Sequence, residues 1–121
     1  IGRDDAGVGV PHALSEALAT ELGNQGYTVI RTPGFRVNNI HYTYTNAVIL
    51  NNLVLTCRFS NRPTENAQAI AAFQQAFPGR TIDTVDCSSI IGLSGAIHCI
   101  VMHVPQAIDP RDILFRNGYE D

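Results

Sequence analysis

Thr43-Tyr44-Thr45-Asn46-Ala47-Val48-Ile49-Leu50-Asn51-Asn52-Leu53-Val54-Leu55-Thr56-Cys57-Arg58-Phe59 is the stretch that decides the fold. Residues 43–50 and 53–59 are rich in β-branched and apolar types, so both predict strands. Asn51-Asn52 between them tolerates positive φ and can close a tight hairpin. Working outward, Pro11 to Gly23 predicts a helix. Pro11 suits its first turn, Leu14, Ala17, Leu18 and Leu22 form one apolar stripe, and Gly23 supplies a stop. Tyr27 to Arg31 then reads as a strand. On the other side, Pro63 to Phe77 predicts a second helix with Ala67, Ile70, Ala71 and Phe77 inward, ended by Pro78-Gly79. Arg80 to Val85 follows as a strand, and Ala96 to Val104 as another.

The two halves repeat. Gly26 maps to Gly79, Thr28 to Thr81, Pro11 to Thr64 at the start of the second helix, and Asn46 to Cys99, which lies 53 residues on. A period of about fifty residues with mixed elements predicts supersecondary units repeated around an axis. Each unit covers the apolar face of the next. The expected class is α/β in the broad sense (α+β), with units at about 11–52 and 53–106 and a tail over 107–121. Equivalent positions in such units face one central place, which makes Asn46 and Cys99 candidates for a single site.

Composition narrows the function. The 121 residues are 45% hydrophobic, with mean hydropathy +0.01, and no run approaches the ~18 apolar residues of a membrane helix. All eight basic residues are arginines, scattered from Arg3 to Arg116. A nucleic-acid footprint needs a basic patch, so neither a nucleic-acid nor a membrane partner is expected. The net charge of −3 suits a cationic ligand. The N-terminus, Ile1-Gly2-Arg3, has neither an initiator Met nor the apolar core of a signal peptide, as expected of a processed or excised piece. Cys57, Cys87 and Cys99 are odd in number and form no CxxC, which argues against a disulfide framework. Four histidines without an HxxxH pair give no zinc site. Cys57 and Cys87 read as small core hydrophobes.

Cys99 is different. It follows the small-residue loop Gly92-Leu93-Ser94-Gly95, whose glycines let a substrate or backbone come close. A thiol there can be a nucleophile if something lowers its pKa. On a strand, His98 would point to the opposite face. His103 would share the face but stand roughly 13 Å away, beyond direct proton transfer. A base for Cys99 is therefore expected from elsewhere.

Gly95-Ala96-Ile97-His98-Cys99-Ile100, followed by Val104-Pro105, resembles the cysteine motif of the bacterial peptidylarginine deiminase and agmatine deiminase family. Tyr44-Thr45-Asn46 with Ile49-Leu50-Asn51-Asn52 resembles the Tyr-x-Asn hairpin that precedes it. Ala76-Phe77-Pro78-Gly79-Arg80 resembles the helix end between the two. The three blocks occur in order over roughly residues 11 to 106. The resemblance implies the five-bladed ββαβ propeller of the pentein superfamily, of which this chain would form about two blades as the C-terminal portion of a catalytic domain. It implies hydrolysis of a guanidinium group, arginine residue to citrulline plus ammonia, without a metal or organic cofactor. Cys99 would be the catalytic nucleophile, Asn46 the second catalytic residue, positioning the site, and Ser94 a substrate contact.

The family's His-x-Asp pair and guanidinium-binding carboxylate come from earlier blades. None of the four histidines here begins a His-x-Asp, so the chain alone is expected to be inactive. Agmatine deiminases usually carry Thr-Gln after the cysteine. Here Val101-Met102-His103 stands there, which favours the peptidylarginine branch. The compartment follows the substrate: secreted for peptidyl arginine, cytoplasmic for agmatine. The expected partners are a guanidinium substrate, the remaining blades, and other copies through open sheet edges. Two alternatives remain. One is a non-catalytic pentein-like binding module, akin to the ribosomal anti-association factors of this fold. The other is a standalone αβ domain with a structural cysteine.

Overall fold

Asn51 adopts φ 39° and turns β3 (Val48–Leu50) back onto β4 (Leu53–Arg58). The two pair antiparallel, Val48 opposite Leu55 and Leu50 opposite Leu53. Helix α2 (Pro63–Ala76) follows, with Pro63 at its start, where a missing N–H costs nothing. Gly79, at φ 83°, reverses the chain after α2. β5 (Thr81–Asp86) then lies parallel to β4, from Leu53↔Thr81 to Arg58↔Asp86. A parallel pair needs a crossover, and α2 provides it. The result is a ββαβ unit with strand order β3-β4-β5. The computed structural model describes residues 1–3, 10–93 and 95–103.

The preceding unit repeats the helix and its exit. α1 spans Val10–Asn24, and Gly26 has φ 90° where Gly79 has 83°. Tyr27 to Arg31 is not the expected strand. Only Thr32 bridges, in parallel, to Gly2. Arg3 N–H donates to Thr32 O at 2.8 Å and Thr32 N–H to Ile1 O at 3.0 Å. A strand is defined by its ladder, and the described residues give this segment no full-length neighbour.

The expected strand over 43–50 is broken. Asn38 and Asn39, at φ 50° and 64°, close a hairpin between β1 (Gly34–Val37) and β2 (Ile40–Thr43). Both central residues at positive φ is the type I′ requirement. Residues 44–47 then leave the ladder before β3 begins. The hairpin β3–β4 itself crosses the division expected at residues 52 and 53 and so joins the two units.

Phe59 centres the core. Its ring meets Phe35, Tyr42 and Tyr44 edge-on, at 5.9, 5.0 and 5.2 Å between centroids. The Arg62 guanidinium covers Phe35 at 4.4 Å. α2 buries Ala69, Ala72 and Phe73. The expected inward set was turned by part of a step. Ala67 and Ala71 are exposed, while Ile70 and Phe77 are half-buried. Phe73, the largest side chain on the helix, sets the face, and Phe77 stacks one turn on at 6.5 Å. The α1 stripe is uncovered, with Leu14 and Leu18 64% and 51% exposed.

Cys57 and Cys87 are not separate core thiols. They form a buried disulfide with Cα atoms 5.5 Å apart. Cys57 stands opposite Val85, one pair before the end of the β4–β5 register, and Cys87 lies just past β5. The pairing exists only once β4 and β5 are aligned, so a separation of 30 residues carried no sign of it.

A candidate active site around Cys99

The backbone at Cys99 is not a strand. Residues Ile97–Ile100 form a single helical turn, α3. Cys99 N–H donates back to Ala96 O at 3.1 Å, and His98 N–H donates to Asn46 Oδ1 at 2.8 Å. With these donors turned inward and sideways, no ladder forms. The parity that would set His98 apart from Cys99 therefore does not apply.

Asn46 grips this turn with both ends of its amide. Its Oδ1 takes the His98 N–H, and its Nδ2 donates to Cys99 Sγ at 3.2 Å. Cys99 is a free, exposed thiol. The Asn46 hydrogen bond, then one with the Ala96 backbone, holds its pKa below the ordinary thiol value against a smaller opposing effect of burial. A donor pointed at sulfur favours the thiolate, which is the nucleophilic form. Gly95 packs beside it. A Cβ there would stand 3.6 Å from Cys99 Cβ and 3.9 Å from Sγ.

A cleft of about 480 Å³ opens beside this pair. Asn46, Gly95 and Ala96 line it next to Cys99, and Arg3, His41 and Thr43 contribute polar groups. The structure thus brings Asn46 and Cys99 together, the first on the loop before β3 and the second on the helical turn α3. Ser94 lies outside the described residues. His98 contributes its backbone, and its side chain, like that of His103, is exposed.

Residues 10–105 match the family model of the Porphyromonas-type peptidyl-arginine deiminases. The chain belongs to this family. Over 65 residues it is 37% identical to the "Putative agmatine deiminase" of Streptomyces avermitilis, and equally to that of Streptomyces coelicolor. These matches cover 54% of the chain but only 18% and 19% of the two relatives. In three dimensions the chain is similar to the "Putative Arginine Deiminase" of Porphyromonas gingivalis, with a TM-score of 0.65 at 23% identity over 87% of this chain and 34% of that one. It is similar also to the agmatine deiminase of C. jejuni, with a TM-score of 0.63 at 20% identity over 82% of this chain and 32% of the other. The chain thus spans about a third of these solved relatives. The mixed α+β fold is theirs, and the family is one of guanidino-group deiminases, which are hydrolases.

Two features of the site had no sequence signal of their own. One is the helical turn at Cys99, since Ala96 to Val104 has a strand-like composition. The other is the anchoring of the 44–47 loop from β4 and α2, which joins residues far apart in sequence. The pairing of Asn46 with Cys99 did have a signal, the 53-residue offset.

Proposed function

We propose that Cys99 is the nucleophile of a guanidine deiminase whose substrate is a peptidyl arginine, with Asn46 holding the thiol in its reactive form. The observation that carries this is the Asn46 amide spanning His98 N–H and Cys99 Sγ beside an open cleft. The thiolate adds to the guanidinium carbon. Its C–N bond to a terminal nitrogen breaks, and that nitrogen leaves as ammonia after taking a proton. The carbon, now bound to sulfur as a thiouronium, takes up water. The C–S bond breaks, the thiolate returns, and the ureido product, citrulline, departs. A thiolate and a guanidinium attract strongly where water is excluded.

The histidine and carboxylates that move these protons and hold the cation come from outside these residues, in the remaining blades of a five-bladed domain. This chain, with its units at about 11–52 and 53–106, carries the nucleophile and is inactive alone. Ser94, in the loop before Cys99, is a further substrate contact.

Agmatine is the second candidate substrate, since the relatives at 37% identity carry that name. The buried Cys57–Cys87 disulfide favours the peptidyl substrate. Such bonds belong to oxidising compartments, where a secreted deiminase would act. A neighbour with a TM-score of 0.62, an agmatine deiminase of C. jejuni, was solved with substrate bound and a cysteine exchanged for serine, in keeping with a reacting cysteine.

The test is an assay for ureido product from an arginine peptide, free arginine and agmatine, using the assembled enzyme. Cys99→Ala is expected to abolish turnover, with the peptide the best substrate. A Cys99→Ala enzyme that keeps its rate removes the nucleophile assignment. The isolated 121 residues are expected to show no turnover, because general acid–base help worth ~10²–10⁴-fold is missing. Cysteine-dependent turnover by them would show that the base lies within this chain.

A further inference from the structure

Asn46 sits on a segment that has left the sheet, and an amide can hold a thiol only if its own backbone is fixed. Tyr44, two residues earlier, does the fixing. Its side chain is fully buried. Its carbonyl oxygen accepts from the buried Thr56 hydroxyl of β4 at 2.8 Å. Its own hydroxyl donates to Asn66 Oδ1 at 2.8 Å. Asn66, in the first turn of α2, is itself pinned at both ends of its amide. Its Nδ2 donates to Phe59 O at 2.9 Å, and its Oδ1 accepts Phe59 N–H at 3.0 Å. One asparagine therefore ties α2 and the end of β4 to the loop that carries Asn46. On the exposed side the Thr43 and Thr45 hydroxyls meet at 2.9 Å and close the same loop. Burial, with the nearby Glu65 charge second, pushes the Tyr44 phenol well above its usual value. It therefore stays a donor wherever a thiolate is useful.

We infer that Tyr44 and Asn66 are positioning residues for Cys99: the Asn66–Tyr44 hydrogen bond sets the Asn46 amide on the sulfur. The inference rests on the reading of Cys99 as the nucleophile, but its geometry stands apart from any turnover. The bond is more than core packing because of what lies beyond it. The Tyr44 ring is already held by Phe59, and Asn66 Oδ1 is already satisfied by Phe59 N–H. Removing the phenol oxygen alone leaves both in place, with the Thr56 bond to Tyr44 O, and takes away one anchor of the loop, the tie to α2.

The experiment follows the rate of iodoacetamide alkylation of the full chain against pH. With Cys57 and Cys87 bonded, Cys99 is the reporting thiol. Tyr44→Phe is expected to move the midpoint of the profile upward and to slow alkylation at pH 7 about two- to twelvefold, the effect of one net hydrogen bond. Asn46→Ala is expected to move it at least as far. In an Asn46→Ala background, Tyr44→Phe is expected to add nothing, because the two act in series. A Tyr44→Phe profile that overlays the wild type overturns the proposal, as does a full further shift in the double variant. Turnover plays no part in this readout, so failure of the tether and failure of the deiminase reading are told apart.

Discussion

At Cys99 one side-chain amide does what a charge does in many thiol sites. The Asn46 Nδ2 donor, rather than a cation, lowers the thiol pKa. The sign of the pH dependence follows. A lowered pKa populates thiolate at lower pH, so Cys99 should alkylate faster at pH 7 than a free thiol of pKa ~8.5. Asn46→Asp is the informative variant. It keeps the size and the acceptor for His98 N–H but replaces the donor with a negative charge, which disfavours the thiolate. The alkylation midpoint is expected to rise above that of Asn46→Ala, with the rate at pH 7 the slowest of the three proteins. A midpoint for Asn46→Asp at or below the wild-type value would mean that the amide does not control the thiol. The contact itself was legible from the sequence, through the repeat that carries Asn46 onto Cys99. Its form was not, because a four-residue turn is fixed by two tertiary hydrogen bonds to Asn46 rather than by local composition.

At the level of elements, local signals located α1, α2 and the turn of the β3–β4 hairpin to within a residue. Pro, Gly and Asn act on their own backbone, so Pro63, Gly79 and Asn51 could be read in isolation. Asn38-Asn39 carried the same signal as Asn51-Asn52 and marked the β1–β2 turn, which a reading centred on strand composition passed over. What depends on register was hidden, and the disulfide is the plainest case. Cys57 and Cys87 lock the parallel strands at the end that leads toward Cys99. Beside them the Ser60 and Ser88 hydroxyls meet at 2.8 Å. Closing a loop of this length in the unfolded chain stabilises the fold by about 2–4 kcal/mol. Cys57→Ala with Cys87→Ala is expected to lose that much in urea denaturation, and a reducing agent should lower the wild type but not the double variant. A reductant effect of equal size in both proteins would rule out the bond.

For the whole molecule, an apolar surface stands open among the described residues. The stripe of Leu14, Ala17, Leu18 and Leu22 has the period of a buried helix face, yet Leu14, Leu18 and Tyr27 are 64%, 51% and 65% exposed. Nearby, a cleft of about 730 Å³ is lined by Leu22, Tyr27, Ile30, Ile49, Phe73 and Phe77. Periodicity reports that a face is apolar; what covers it depends on the neighbours present. In α2, which sits against β4 and β5, the positions 53 residues on, Ala67, Ile70, Ala71 and Gln75, are likewise exposed or half-buried, and a different face buries Ala69, Ala72 and Phe73. If units stack so that each covers the next, the α1 face would be covered by another unit of the domain proposed above. Alone, the chain is expected to cover it with a second copy, because contiguous apolar surface drives association. Leu14→Glu with Leu18→Glu tests this by sedimentation. Covering a leucine gains about 1.5–3 kcal/mol when complete. Losing even half of that at each position weakens self-association by at least about tenfold, at 1.4 kcal/mol per decade. The double variant should sediment as a monomer at a concentration where the parent chain does not, with helical circular dichroism unchanged, since Glu is as good a helix former as Leu. Equal sedimentation of the two proteins would place the contact elsewhere, on the strand edges rather than on α1.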